Sequence, residues 1–137
     1  MKVIVVDTSA ILPLFLPDES SVYARGIIEV RNVASLKSST LIMAEFANGL
    51  LSAFRRKRLT YAELVSAHNF FSSFEIELFD NVSRGQVFTI HELAYRRQLS
   101  YYDALYLALA IEERGALATA DNALRKAATA EGVEVIE

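Results

Sequence analysis

The chain has 137 residues, 53% of them hydrophobic, a net charge of −3 and no cysteine. That is one domain's worth of chain, with enough apolar surface for a sizeable core. The missing cysteines exclude disulfides, thiol nucleophiles and cysteine-ligated zinc, and two histidines, His68 and His91, are too few for a His-rich zinc site. The acidic balance argues against a non-specific nucleic-acid binder, but not against an acidic site whose sign a bound metal ion would reverse.

Lys2–Val6 (KVIVV) is a continuous β-branched run, the pattern of a strand buried on both faces. Thr8–Leu16 reads as a short apolar helix that Pro13 kinks or ends. Pro17–Ser20 is a turn able to cap a second helix running to about Arg31, and a weak strand follows near Val33–Leu36. Thr40–Arg56 reads as a helix whose core face is Met43, Phe46, Ala47, Leu50, Leu51 and Phe54. Tyr61–Phe71 is a helix opened by the capping-box pair Thr60 and Glu63. Ile76–Phe79 is a strand, Val82–Gln98 and Ser100–Glu113 are helices, and Gly115 is the stop signal of the second. Ala116–Ala120 is a strand by position, Asn122–Glu131 a helix stopped by Gly132, and Val133–Ile136 a last strand. Strands alternating with helices imply a parallel sheet covered on both faces, in a single domain over residues 1–137. The longest uninterrupted apolar run, Ala104–Ile111, is far short of the ~20 residues a membrane span needs. Lys2 and the apolar segments after it loosely resemble a signal peptide, but Asp7 and Pro13 interrupt them, so a soluble cytoplasmic protein is expected.

Asp7 follows the first strand and Asp121 follows Ala116–Ala120. Sites of doubly wound sheets lie beyond the carboxyl ends of strands, where strand order reverses. A helix N-cap accounts for either aspartate taken alone; the pair at matching places points to a shared crevice. Asp103 lies in the first turn of a helix that is apolar nearly all round. Ser100 and Asp103 fit a capping box, yet a carboxylate on so buried a helix also needs a compensating partner, such as a cation. Glu45 shares a stripe with Leu41, Asn48, Gly49 and Ser52, opposite the expected core face, where a solvated role is the plain reading. Four carboxylates brought together would suit a hard cation, Mg2+ or Mn2+, which takes oxygen ligands, relieves their repulsion and can activate water against a phosphoryl group.

Four segments carry a family resemblance: Val5–Leu12 (VVDTSAIL), Met43–Leu50 (MAEFANGL), Leu99–Ala110 (LSYYDALYLALA) and Leu117–Leu124 (LATADNAL). In this order and spacing the chain resembles the PIN-domain nucleases, specifically the VapC toxins of VapBC toxin–antitoxin pairs. The resemblance implies a three-layer α/β/α fold around a five-stranded parallel sheet of order 3-2-1-4-5. It implies a metal-dependent endoribonuclease that hydrolyses RNA to a 5′-phosphate and a 3′-hydroxyl. Asp7, Glu45, Asp103 and Asp121 would be the catalytic metal ligands for Mg2+ or Mn2+, with Asn48 and Thr119 as secondary polar residues. The expected partners are an RNA substrate, a VapB-like antitoxin and a second copy in a homodimer. One departure from the pattern is Thr40, where many relatives have proline.

Two other classes compete with this reading. A phosphoaspartate enzyme of the haloacid-dehalogenase kind needs a second aspartate two residues after the first, where this chain has Ser9. A PIN fold that binds RNA or protein without cutting is the alternative function; loss of an acid would be its signature, and all four are present. Arg55, Arg56, Lys57 and Arg58 suit a helix C-terminus and, alternatively, RNA phosphates, with Arg96, Arg97, Arg125 and Lys126 as weaker candidates. Tyr101, Tyr102 and Tyr106 have the spacing of core or dimer-interface residues, and could alternatively stack on bases. Asp18, Asp80, Glu92, His68 and His91 read as caps, surface charges and ordinary helix residues.

Overall fold

The computed structural model describes residues 1–83 and 86–137. Four parallel strands, β1 (Lys2–Val6), β2 (Ala34–Ser39), β3 (Glu77–Phe79) and β4 (Ala116–Ala118), lie in the order β3-β2-β1-β4. The chain steps outward from β1 through β2 to β3, then returns to place β4 on the other side of β1. The strand order therefore reverses between β1 and β4. Ile4, Val5 and Val6 are buried, as a run apolar on both faces demands.

The helices are α1 (Thr8–Ile11), α2 (Val22–Glu29), α3 (Leu41–Arg55), α4 (Tyr61–Ser72), α5 (Val87–Arg97), α6 (Tyr101–Glu112) and α7 (Asn122–Ala130). Pro13 ends α1 as expected: Leu12–Phe15 continues as a 3-10 turn with the proline in its first turn. Helix α6 packs on β1, β2 and β4 and is flanked by α5 and α7. Helix α3 packs on β2, between α1 and α4, with Phe46 stacked on Phe71 at 3.9 Å. The result is the expected three-layer α/β/α arrangement.

Several expectations need correction. The sheet has four strands, not five, among the described residues. Val133–Ile136 reaches the expected edge beside β4, but as one bridge, Leu117 to Val135, closed by Leu117 N–H to Glu134 O and Ile136 N–H to Leu117 O. Alanine-rich β4 is only three residues long, which leaves its neighbour little ladder to join. The expected helix Val82–Gln98 starts only at Val87. Asp80 accepts bonds from the Ser83 amide and hydroxyl and bends the chain into a turn first. Arg84 and Gly85, inside that expected helix, lie outside the described residues. The core face of α3 is Ile42, Phe46, Leu50 and Ala53, whereas Met43 and Leu51 are exposed. Helix α3 is apolar on several sides, so periodicity left its rotation open. Its close approach to α1 settles the rotation: a Cβ on Gly49 would stand 2.7 Å from Leu12.

The residue that turns left-handed after α6 is Arg114 (φ 52°), not Gly115. Gly115 is needed for closeness. A Cβ there would lie 2.8 Å from the Val3 side chain and 2.9 Å from its carbonyl oxygen. Gly115→Ala must push backbone away from the central strand, so we expect a loss of about 1–3 kcal/mol in stability, read from the midpoint of urea unfolding.

Candidate active site

Asp7 closes the central strand. Its amide still bonds to Ala118 O of β4, while its side chain turns to cap α1 by accepting from the Ala10 amide. Asp121 repeats the arrangement across the reversal point, capping α7 through the Leu124 amide. Both are therefore N-caps, and both also line one cleft, so the two readings of these aspartates hold together. Asp103 stands in the first turn of α6, after N-cap Ser100. Ser100 accepts from the Asp103 amide, but among the described residues no bond from the Ser100 amide closes the expected capping box. Glu45 comes from the second turn of α3. Ser39 starts that helix by accepting from the Leu41 amide, while Thr40 makes no side-chain cap bond.

The cleft has a volume of about 340 Å³ and is lined by the four acids together with Thr8, Ser9, Leu12, Asn48, Gly49 and Tyr106. Three of the four acids sit at helix N-termini, whose unpaired amides and positive dipole ends favour negative charge. Among the described residues, no three or more His, Cys, Asp or Glu side chains stand together in positions that could hold a metal ion. The acids instead rim an open cleft.

The two inner acids are tightly held. Asp7 is only 5% exposed. Its Oδ1 accepts from the Ser9 hydroxyl (2.7 Å) and the Ala10 amide (3.1 Å), and its Oδ2 from the Thr119 hydroxyl (2.5 Å). Glu45 Oε1 accepts from the Tyr106 hydroxyl (2.5 Å) and the Thr8 hydroxyl (3.1 Å). Burial pushes the Asp7 carboxyl up to about 6, against the lowering effect of Thr119, Ser9 and the Ala10 amide. Burial also raises Asp103, with the Asp121 and Glu45 charges adding to it. Burial, then the bond to Glu45, holds the Tyr106 phenol far above its ordinary value, so it remains a donor.

Thr119 is completely buried and doubly fixed. Its amide donates to the Tyr23 hydroxyl, which in turn donates to Ile136 O, and its carbonyl accepts from Arg125 Nε at 2.7 Å. Arg125 also lies over the Tyr23 ring. These contacts give Arg125 a structural place beside Thr119. Arg58 likewise grips Asp18 and Glu19, and Arg96 and Arg97 grip Glu131. Asn48 lines the cleft and is exposed. Sequence reasoning passed over Thr8, Ser9 and Tyr23, and weighed Tyr106 as a core, interface or base-stacking residue without the bond to Glu45. The available signal was the pair of hydroxyl residues directly after Asp7, and a third tyrosine of α6, Tyr106, set among its leucines and alanines.

The model of the PIN-domain family matches residues 4–130. No curated protein sequence matches the chain. Among solved structures, PAE2754 from Pyrobaculum aerophilum superposes with a TM-score of 0.70 at 20% identity, over 98% of this chain and 89% of that one. VapBC2 from Rickettsia felis, bound to a DNA fragment from its promoter, gives 0.69 at 16% identity, over 98% and 97%. VapC20 from Mycobacterium tuberculosis, described as a toxin that cleaves the sarcin-ricin loop, gives 0.59 at 16% identity, over 90% and 94%.

The raised Asp7 value has a consequence for stability. The folded-state value of about 6 lies above the ordinary 3.8, so Asp7 favours folding least when ionised. It costs nothing below about pH 4, and the cost grows as pH rises and levels off above 6, at about 3 kcal/mol. Asparagine keeps the cap without the charge. Asp7→Asn should therefore melt several degrees above the wild type at pH 7.5 in EDTA, with the gap closing toward pH 4.5 in thermal denaturation.

Proposed function

Because this chain belongs to the PIN-domain family, we propose that it is a metal-dependent endoribonuclease that hydrolyses RNA phosphodiester bonds, the toxin of a toxin–antitoxin pair. The observation that carries the reading is the meeting of Asp7, Glu45, Asp103 and Asp121 on one cleft beyond the reversal point of the sheet. The donor set is all oxygen, which suits Mg2+ or Mn2+. Magnesium keeps several of its waters and uses one or two carboxylates plus substrate phosphate rather than an all-protein cage. An open rim of acids fits that habit. Asp7, Glu45, Asp103 and Asp121 would hold the ion, which supplies positive charge against the phosphoryl oxygens and makes water a better nucleophile.

The chain's own residues prepare the acids. Thr119 and Ser9 keep Asp7 oriented, and Thr8 and Tyr106 do the same for Glu45. Asn48, exposed on the Glu45 stripe, is free to meet the RNA. Burial raises the carboxyls of Asp7 and Asp103, with neighbouring carboxylates adding to it, an environment that a bound cation would relieve. RNA as substrate, a VapB-like antitoxin as inhibitor and a cytoplasmic homodimer are proposed by likeness to the VapBC2 and VapC20 structures and to the VapC pattern. Exposed Val22, Phe88 and Tyr95 leave apolar surface for protein partners. Among the described residues no helix is long and apolar enough to cross a membrane.

Purified protein, free of antitoxin, should cut a mixture of structured and single-stranded RNA in Mg2+ or Mn2+. Cutting should stop in EDTA and fall at least about a hundredfold in Asp103→Asn. Folded protein that cuts no RNA pool in either metal would favour the silent binding module.

A further inference from the structure

Tyr106 is the largest side chain of the core that carries a polar group into the cleft. The residue is 1% exposed, and its hydroxyl reaches across to α3. There it donates to Glu45 Oε1 at 2.5 Å, and the Thr8 hydroxyl donates to the same oxygen at 3.1 Å. The two hydroxyls stand 3.3 Å from each other, so they approach Oε1 together. A carboxylate oxygen has two lone pairs in its plane. Tyr106 fills one on Oε1, the single Thr8 proton is shared between Oε1 and the Tyr106 oxygen, and among the described residues no donor reaches Oε2. Tyr106 follows Asp103 by one helical turn, so the phenol also ties the helix of one acid to the helix of another.

We propose that Tyr106, with Thr8, makes this cleft selective for Mn2+ and Mg2+ over Ca2+ by restricting Glu45 to a single-oxygen donor, Oε2. The inference rests on the metal-dependent reading above and adds to it the choice of ion. Small octahedral Mg2+ demands short bonds from single oxygens, and Mn2+ accepts the same oxygen set. The larger Ca2+ takes six to eight oxygens and gains from carboxylates that give both. With Oε1 engaged by these hydroxyls, Glu45 is held back from opening into a two-oxygen clamp. Asp7 is limited in the same direction: Oδ1 is filled by Ser9 and the Ala10 amide, and Thr119 takes one of the two places on Oδ2. Tyr106 touches none of the reacting atoms and acts through Glu45 as a positioning and selectivity residue.

The test needs no turnover. Mn2+ binding is measured by electron paramagnetic resonance of the free ion, and Ca2+ binding by its competition, on wild-type protein, Tyr106→Phe and Thr8→Val. Phenylalanine preserves the core packing, and the melting temperature in EDTA reports whether the fold is kept. We expect Mn2+ affinity to fall about tenfold in Tyr106→Phe, the scale of lost outer-sphere partners, while Ca2+ affinity stays level or rises. Thr8→Val should shift the Mn2+-to-Ca2+ ratio the same way, and it decides the matter if Tyr106→Phe does not fold. Wild-type binding of Mn2+ with an unchanged ratio in the folded variants would overturn the inference and leave the nuclease reading standing. No Mn2+ binding by the wild type would overturn both.

Discussion

Asp7 sits 5% exposed at the carboxyl end of the central strand, and a carboxylate so far from water must be met by donors from its neighbours. Those donors explain much of the surrounding structure. Ser9 and the Ala10 amide come from the turn of helix that Asp7 itself caps. Thr119 comes from the end of the adjacent strand, and is in turn fixed by Tyr23 and Arg125. The Tyr23 bond to Ile136 brings the C-terminal segment into the same network. Even so, the donors do not fully compensate: burial outweighs them and the carboxyl remains raised. The fold holds an acid there at a cost in stability.

Topology brings the remaining acids to it. A parallel sheet whose order reverses between β1 and β4 puts the ends of those two strands side by side, with helix N-termini pointing back at the gap. Three of the acids occupy such N-termini, where backbone amides partly offset their charge. Glu45 arrives differently, from the body of α3, which at Gly49 comes close to the Leu12 side chain. It lacks the help of a helix end, and hydroxyls from Thr8 and Tyr106 take that place.

Much of this was legible in the sequence. The β-branched run before Asp7 identifies the central strand, the Thr60–Glu63 pair marks a helix start that the structure bears out, and Gly132 with φ +77° is the stop it was read to be. Four acidic segments in order pointed to the family that the model match over residues 4–130 then showed. What was not legible depended on contacts distant along the chain. The rotation of α3 rests on Gly49 against Leu12, and an apolar helix with several candidate faces does not announce which one turns inward. The fifth strand failed because three-residue β4 offers its neighbour a single bridge. Tyr106 hid in a core pattern, since periodicity reports where a side chain is buried and not what its terminal atom touches.

The proposed divalent-cation site of Asp7, Glu45, Asp103 and Asp121 is tested most directly by a crystal soaked in MnCl2 and measured for anomalous scattering at the manganese edge. A peak is expected in this cleft within about 2–2.5 Å of carboxylate oxygens, with Glu45 contributing through Oε2. A well-ordered cleft with no manganese at millimolar concentration, or manganese bound only elsewhere on the protein, would contradict it.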